Sequence, residues 1–200
     1  MTLYDKLVNR FGKLFRRIYR LKVIGVENVP AEGSFILGCN HTALFDPVVL
    51  VLSIPRVIRF MAKKESFKVP VIGKIMTKLG MIPVNRGTAD MKAMKTSLSV
   101  LNEDGVIGIF PQGTRCPGVD PRTTTPKEGV AMLSYHAGCS VLPAFIVTKD
   151  RKLRPFHPAT VIIGKPIGQD ELGISSGTPS EYKAATELVF DRICSLGESV

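Results

Sequence analysis

The sequence predicts an α/β protein in which helices cover a mixed, largely parallel central sheet, preceded by an N-terminal amphipathic helix. Short apolar runs alternate with segments of helical periodicity along most of the chain, a pattern that is typical of an α/β sheet with covering helices. The chain has 200 residues, 44% of them hydrophobic. This length and composition suit one compact domain with one active site.

The first predicted element is a helix over residues 2–20. Its apolar face carries Leu3, Tyr4, Leu7, Val8, Phe11, Leu14, Phe15 and Ile18. Its polar face carries six basic residues, Lys6, Arg10, Lys13, Arg16, Arg17 and Arg20, and the acidic Asp5. A basic amphipathic helix suits the surface of an anionic membrane, although such a stripe can also pack on the domain's own core. We therefore expect residues 1–21 to form a membrane-surface helix and residues 22–200 to form a single domain.

Seven apolar runs are candidate strands. They cover residues 23–26, 34–38, 57–62, 81–84, 106–110, 141–147 and 160–164. The longest continuous apolar run, residues 48–52, is far shorter than the roughly 20 residues that a membrane-spanning helix needs. The sequence therefore predicts peripheral or monotopic membrane contact.

Two helix starts carry the same sequence pattern. Thr125 and Thr178 are each followed by proline and, three residues after the threonine, by Glu128 or Glu181. Threonine at the cap, proline at the first helical position and a reciprocal glutamate predict a helix beginning at each site.

A further helix is expected between Thr88 and Asp104. An apolar face of Met91, Met94, Leu98 and Leu101 predicts that these side chains lie in the core, and Gly105 suits a left-handed C-terminal cap.

The charge balance narrows the class of partner. Lysine and arginine exceed aspartate and glutamate by 27 to 17, giving a formal net charge of +10, which favours anionic partners. The four cysteines form no C-x-x-C pair, so a reducing cytosol is the simplest setting. No histidine, cysteine and carboxylate cluster has the spacing of metal ligands, and no serine lies in a G-x-S-x-G elbow.

A histidine and an aspartate follow the candidate strand 34–38. His41 and Asp46 are five residues apart, at the kind of strand end where open α/β sheets place their active sites. A carboxylate that accepts a hydrogen bond from one imidazole nitrogen lets the other nitrogen act as a general base. The alternative is structural: Asp46 precedes Pro47 and an apolar run, so it also suits a helix N-cap, with His41 in a turn.

Two arginine loops strengthen the catalytic interpretation. Arg86 and Arg115 each follow a strand that ends near a proline, and each loop also contains a glycine. The planar guanidinium binds phosphate through two hydrogen bonds, and glycine lets an anion approach backbone donors closely. The sequence therefore predicts that the two loops can hold one phosphate.

At these residues the chain resembles the glycerolipid acyltransferases. The similarity lies in ordered blocks: H-x-x-x-x-D at 41–46, a second block at 82–86, F-P-Q-G-T-R at 110–115 and V-L-P at 141–143. Residues 63–73 and 127–129 also fit the spacing, so the likeness covers roughly residues 22–166.

The resemblance implies a fold like that of glycerol-3-phosphate acyltransferase and direct attack of an acceptor hydroxyl on an acyl thioester, without a cofactor. The implied donor is acyl-CoA or acyl-carrier protein, and the implied acceptor is lysophosphatidic acid at the cytoplasmic face of the cell membrane. The implied catalytic residues are His41 and Asp46. The implied substrate-binding residues are Arg86, Gln112, Gly113, Thr114, Arg115 and Lys127.

One position departs from the family pattern. The third block usually carries glutamate where this chain has Gln112. Glutamine keeps a carbonyl acceptor, gains an amide donor and loses the negative charge. We therefore expect a hydrogen-bonding role at this position and not one that depends on charge.

Other functions remain open at this point. A related acyltransferase acting on glycerol 3-phosphate or on another lysophospholipid has the same motifs. A non-catalytic membrane-binding protein would need only the helix 2–20, and a nucleic-acid-binding module would fit the positive charge. The chain has no tryptophan and no recognised nucleic-acid-binding motif, so no nucleic acid is expected. Cys39 beside His41 is interpreted as a small buried residue and not as a nucleophile.

Overall fold

A computed structural model of the chain describes residues 3–85 and 90–198. The strands are β1 (Lys22–Ile24), β2 (Phe35–Cys39), β3 (Ile58–Lys63), β4 (Ile82–Val84), β5 (Val106–Ile109), β6 (Ser140–Thr148) and β7 (Ala159–Ile163). The helices are α1 (Leu3–Ile18), α2 (Asp46–Ser53), α3 (Ile72–Lys78), α4 (Met91–Asn102), α5 (Gly129–Ala137), α6 (Gln169–Leu172) and α7 (Pro179–Glu198). All seven predicted strands are present, with ends shifted by up to two residues.

The strands form one seven-stranded sheet in the order β1-β7-β6-β2-β5-β3-β4. Neighbouring strands from β6 to β4 run parallel, β7 is antiparallel to β6, and β1 is parallel to β7. The prediction of a mixed, largely parallel sheet is therefore confirmed. The carboxyl ends of β2, β3, β4, β5 and β6 share one edge of the sheet, and the carboxyl ends of β1 and β7 lie at the other.

The core has two layers, one on each face of the sheet. Alternate side chains of β2 point to opposite faces, so Ile36 joins the layer with Leu133 of α5 and Val189 of α7. Phe35 and Leu37 join the other layer, which includes side chains of α2. All five β2 residues are buried, as expected for a central parallel strand that is covered on both faces.

Helix α1 packs on the second layer through its C-terminal half. Phe15 and Ile18 contact that core cluster. Gly12 is buried beside Leu52, where an added Cβ would lie 3.1 Å from the leucine side chain. The Arg16 guanidinium donates to the Leu52 carbonyl. In the described ranges, none of the helices combines the length and apolar character needed to cross a bilayer.

The two predicted threonine caps differ in outcome. The helix at Thr178 is confirmed, since α7 begins at Pro179 and the Glu181 amide donates to Thr178 Oγ1. The predicted start at Thr125 is wrong, because α5 begins at Gly129 and its N-cap is Glu128, without a side-chain cap. The Lys127 amide instead donates to the Pro111 carbonyl at 2.7 Å, which draws this segment towards the loop after β5.

The C-terminal cap predicted for α4 is also wrong. The left-handed residue is Asp104, with φ of 55°, and not Gly105. Glycine is needed at 105 for another reason, because an added Cβ would lie 2.6 Å from the Val100 carbonyl oxygen. Of the predicted core face, Leu101 is buried, but Met91 is 61% exposed at the first residue of the helix.

Candidate active site

The candidate site lies at the carboxyl edge of the parallel strands. His41 follows β2, and the segment 110–115 follows β5, the neighbouring strand. The Cys116 amide donates to the His41 carbonyl at 2.8 Å. This bond brings the loop after β5 against the histidine, as the topology predicts.

His41 and Asp46 form a hydrogen-bonded pair. His41 Nδ1 lies 2.8 Å from Asp46 Oδ2. Because an ionised carboxylate can only accept, Nδ1 donates and Nε2 holds the free lone pair. His41 is 8% exposed and Asp46 is fully buried. The arrangement gives a fixed imidazole whose second nitrogen can take a proton.

The segment between the two residues holds the carboxylate in place. Asp46 Oδ2 accepts hydrogen bonds from the backbone amides of Thr42, at 2.6 Å, and Ala43, at 2.8 Å. Thr42 Oγ1 donates to Asp46 Oδ1 at 3.3 Å. The N-cap of α2 is Phe45, and Asp46 is the first helical residue. Asp46 is therefore not the helix N-cap of the structural alternative, because its oxygens serve the histidine loop.

Gln112 holds the backbone of His41 from the other side. Its Oε1 accepts from the His41 amide at 2.7 Å, and its Nε2 donates to Thr124 Oγ1 at 3.3 Å. The Thr124 hydroxyl itself donates to the Pro121 carbonyl at 2.6 Å, so its oxygen presents a lone pair to the amide. The glutamine therefore acts as a neutral acceptor for His41 and as a donor to Thr124.

Exposed cationic groups lie along the same loop. Arg115 and Lys127 are both exposed, and within residues 3–85 and 90–198 neither forms an ion pair. Gly113 has φ of 69°, and a Cβ there would lie 3.3 Å from Lys127 Cγ. The loop thus combines Gly113, Thr114, Arg115 and Lys127 beside His41. The predicted phosphate contact of Arg86 lies outside the described residues.

Comparisons with known proteins show the family of this chain. The Acyltransferase family model matches residues 20–147. The 1-acyl-sn-glycerol-3-phosphate acyltransferase of Bacillus subtilis is 31% identical over 178 residues, 86% of this chain and 86% of that protein. This chain belongs to the acyltransferase family.

Two further relatives extend the comparison. A 1-acyl-sn-glycerol-3-phosphate acyltransferase of Borreliella burgdorferi is 32% identical over 62% of this chain and 50% of that protein. The crystal structure of the 1-acyl-sn-glycerophosphate acyltransferase PlsC from Thermotoga maritima has a TM-score of 0.74 and 26% identity, covering 97% of this chain and 78% of that one. This acyltransferase therefore has the fold that the sequence resemblance implied.

Sequence reasoning missed three supports of the acyltransferase site. Phe110 stacks on the His41 ring, with centroids 3.9 Å apart and planes at 13°. The Asn40 side chain accepts from the Ile146 amide at 2.7 Å and donates to its carbonyl at 3.2 Å, which fixes the end of β2 to β6. Thr124 orients Gln112. Phe110 is the first residue of the F-P-Q-G-T-R block and Asn40 directly precedes the H-x-x-x-x-D block, but no sequence signal singles out Thr124 among three consecutive threonines.

Cys39 is fully buried in the acyltransferase core. Burial raises the pKa of its thiol well above the usual value, and the nearby Asp46 carboxylate raises it further. A thiol with a raised pKa is a poor nucleophile at neutral pH. The interpretation of Cys39 as a small core residue is therefore confirmed.

Proposed function

We propose that this acyltransferase moves a fatty acyl group from acyl-CoA or acyl-carrier protein to the sn-2 hydroxyl of 1-acyl-glycerol 3-phosphate, giving phosphatidic acid. The observation that carries the proposal is the His41–Asp46 pair, at 2.8 Å, beside a loop that displays Arg115 and Lys127. The names of the Bacillus and Thermotoga relatives support the choice of acceptor.

In the proposed reaction His41 is the general base. Its Nε2 takes the proton as the acceptor hydroxyl attacks the thioester carbonyl, and the new C–O bond forms. The C–S bond then breaks, and the leaving thiolate receives the proton from His41. Asp46 stabilises the transient imidazolium and fixes the ring, so no acyl-enzyme is required.

The acceptor phosphate has cationic partners in this proposal. Arg115 and Lys127 bind it, with Arg86 as a further predicted partner. We expect Arg115→Ala to raise the KM for the acceptor, and Arg115→Lys to restore it only in part, because lysine lacks the two-pronged guanidinium. Arg192→Ala on α7, which removes an exposed ion pair with Glu171 of α6, is the control and should leave that KM unchanged. A rise in the donor KM alone would assign Arg115 to the donor.

Helix α1 is the proposed membrane element, at the cytoplasmic face. Phe11 and Leu14 are 42% and 53% exposed, and Arg10, Lys13 and Arg17 are also exposed. These side chains suit the boundary between acyl chains and anionic headgroups. Because Tyr19 is buried in the core, the substitutions F11S and L14S test this better than deletion of the helix. Unchanged sedimentation with anionic liposomes would place the anchor elsewhere.

The decisive experiment is acyl transfer measured by mass. The full chain is incubated with 1-acyl-glycerol 3-phosphate and each thioester donor, and phosphatidic acid is quantified. His41→Ala should lower the rate about 100- to 10,000-fold, whereas His157→Ala, at an exposed histidine whose Nδ1 lies 3.0 Å from the Pro155 carbonyl oxygen, should not. Faster transfer to glycerol 3-phosphate or to another lysophospholipid than to 1-acyl-glycerol 3-phosphate would show that the proposed acceptor is wrong. Wild-type turnover by folded His41→Ala would overturn the mechanism.

A further inference from the structure

A second exposed apolar surface lies in residues 63–79, far from α1 in sequence. This basic-apolar surface comprises the 3-10 turn Lys64–Lys68, helix α3 and the residues that flank them. Four aliphatic side chains on it are solvent-exposed: Val69 at 44%, Val71 at 67%, Ile72 at 54% and Ile75 at 43%. Adjacent exposed aliphatic residues of this kind mark an interaction site more often than isolated ones do.

The backbone of this surface is held in a strained conformation that projects Val71. Val71 has φ of 67° and ψ of −57°, and the Ile72 amide donates to the Pro70 carbonyl at 2.7 Å. This is a γ-turn, which is unfavourable for a β-branched residue. Gly73 is buried against Phe67, where an added Cβ would lie 2.0 Å from the carbonyl oxygen. Such strain persists where the surroundings enforce it, commonly at functional positions.

Charge indicates what this surface binds. Lys63, Lys64, Lys68, Lys74 and Lys78 are all exposed. Glu65 is the single acidic residue of the segment. Its Oε2 lies 3.8 Å from Lys63 Nζ. Exposed aliphatic side chains that alternate with exposed lysines along one segment match the acyl boundary and the anionic headgroups of a bilayer. An acidic protein would match the lysines but not the row of aliphatic groups as well.

The basic-apolar surface also lies at the same edge of the sheet as the catalytic pair. It follows β3, whose carboxyl end is at the same sheet edge as His41. At that edge Leu44 and Phe45, which follow β2, are 66% and 44% exposed. A bilayer in contact with residues 63–79 would therefore face the edge that holds the catalytic pair.

We propose that the basic-apolar surface is a second lipid-binding element, which seats on an anionic bilayer with Val69, Val71, Ile72 and Ile75 in the acyl boundary. Together with α1 it orients the carboxyl edge of the sheet towards the membrane. Its role rests on the proposed function, because a lipid acceptor must reach His41 from the bilayer. Its contact with lipid can nevertheless be measured without substrate.

The absence of tryptophan from the chain permits a direct test. Ile75→Trp places one indole on the surface, and Val57→Trp places one at a residue that is 46% exposed and precedes β3 at the opposite edge. With vesicles of phosphatidylglycerol and phosphatidylcholine, the emission of the Ile75→Trp variant should shift to the blue and be quenched by lipids brominated on their acyl chains. The emission of the Val57→Trp variant should respond to neither. Unchanged emission from Ile75→Trp protein that sediments with vesicles would show that this surface stays in water.

Substitutions measure the contribution to affinity. The pair V71S and I75S should weaken vesicle binding about 10- to 100-fold, from the loss of apolar burial. The control pair V26S and V57S removes aliphatic groups that are 47% and 46% exposed at the opposite edge, and it should change little. The pair K74Q and K78Q should weaken binding about tenfold at low salt, unlike K165Q and K183Q, two exposed lysines elsewhere.

The outcomes separate this inference from the proposed function. Equal binding by V71S/I75S and by its control overturns the lipid role, whether or not phosphatidic acid is formed. If V71S/I75S binds vesicles normally but has a raised KM for a soluble acyl donor, the surface binds the donor, and this result would also overturn the lipid role. Weakened binding supports the lipid role even if the acceptor proves to be another lysophospholipid.

Discussion

The segments 125–128 and 178–181 share the pattern T-P-x-E, yet they behave differently. At the second, the Thr178 amide donates to Glu181 Oε2 at 2.9 Å and the Glu181 amide donates to Thr178 Oγ1 at 3.3 Å. At the first, no such cap forms and the Lys127 amide donates to Pro111 at 2.7 Å. The local sequence is equivalent, so the surroundings decide the structure.

The difference separates a segment that serves stability from one that serves the site. The cap at Thr178 satisfies helix-end donors within its own turn. The segment at Thr125 instead uses its backbone to hold the loop after β5, and Thr124, its immediate neighbour, orients Gln112 against His41. Changes at Thr178 should therefore alter the free energy of unfolding, and changes around Thr125 should alter turnover.

The largest expected effect lies at the centre of the site. Asp46→Asn keeps the side-chain shape but removes the charge that stabilises the His41 imidazolium. We expect kcat to fall at least about 100-fold while the protein stays folded. Steady-state kinetics with circular dichroism measures both. A folded variant that retains more than a tenth of wild-type kcat would contradict the role of Asp46.

The next effect concerns Gln112 and Thr124. Gln112→Leu leaves the buried His41 amide without an acceptor and should lower the free energy of unfolding by about 1–3 kcal/mol, with a loss of turnover. Gln112→Glu keeps the acceptor and should stay within a few-fold of wild type.

A double-mutant cycle tests the partner. Thr124→Val removes the acceptor for the Gln112 amide, so it should impair the Gln112 enzyme more than the Q112E enzyme, whose carboxylate needs no acceptor. Thr124→Ser should restore activity. Additive effects of T124V and Q112E on kcat would show that the two side chains act independently.

These positions show which features of the fold and of the site can be predicted from the sequence. The strands and the His41–Asp46 pair were predictable, because hydrophobic runs and a five-residue spacing are local signals. The displaced start of α5 was not, since it depends on a bond from Lys127 to Pro111 across the fold. The contacts of Arg122 were also not predictable from the sequence. Arg122 donates to Glu198 at 2.6 Å and to Asp191 at 2.7 Å, and these bonds hold the loop between β5 and α5 against α7. Nothing in the sequence pairs residues so far apart.

A smaller effect compares the two threonines directly. Thr178→Ala removes a formed cap and should lower the free energy of unfolding by about 1 kcal/mol. Thr125→Ala removes an exposed hydroxyl that caps no helix, so the change should stay within about 0.5 kcal/mol. Urea denaturation of the two variants measures both values. Equal losses would show that the two segments contribute alike to stability.

The smallest effect is a pH dependence confined to the formed cap. Hydrogen bonds, first from the Thr178 amide and then from the Ser175 hydroxyl, lower the pKa of Glu181 from 4.5 to about 2. Because the folded-state pKa lies below the unfolded one, the unfolded state binds more protons between these values. The stabilisation is therefore complete above about pH 5 and is lost as the pH falls from 4.5 towards 2. The difference in urea midpoint between wild type and Glu181→Gln should stay constant from pH 6 to about pH 5 and then narrow towards pH 3. The matched variant Glu128→Gln, in the T-P-x-E segment that forms no cap, should have the same urea midpoint as wild type over this pH range. A difference in urea midpoint between Glu181→Gln and wild type that does not change with pH would show that the charge of Glu181 plays no part in the cap.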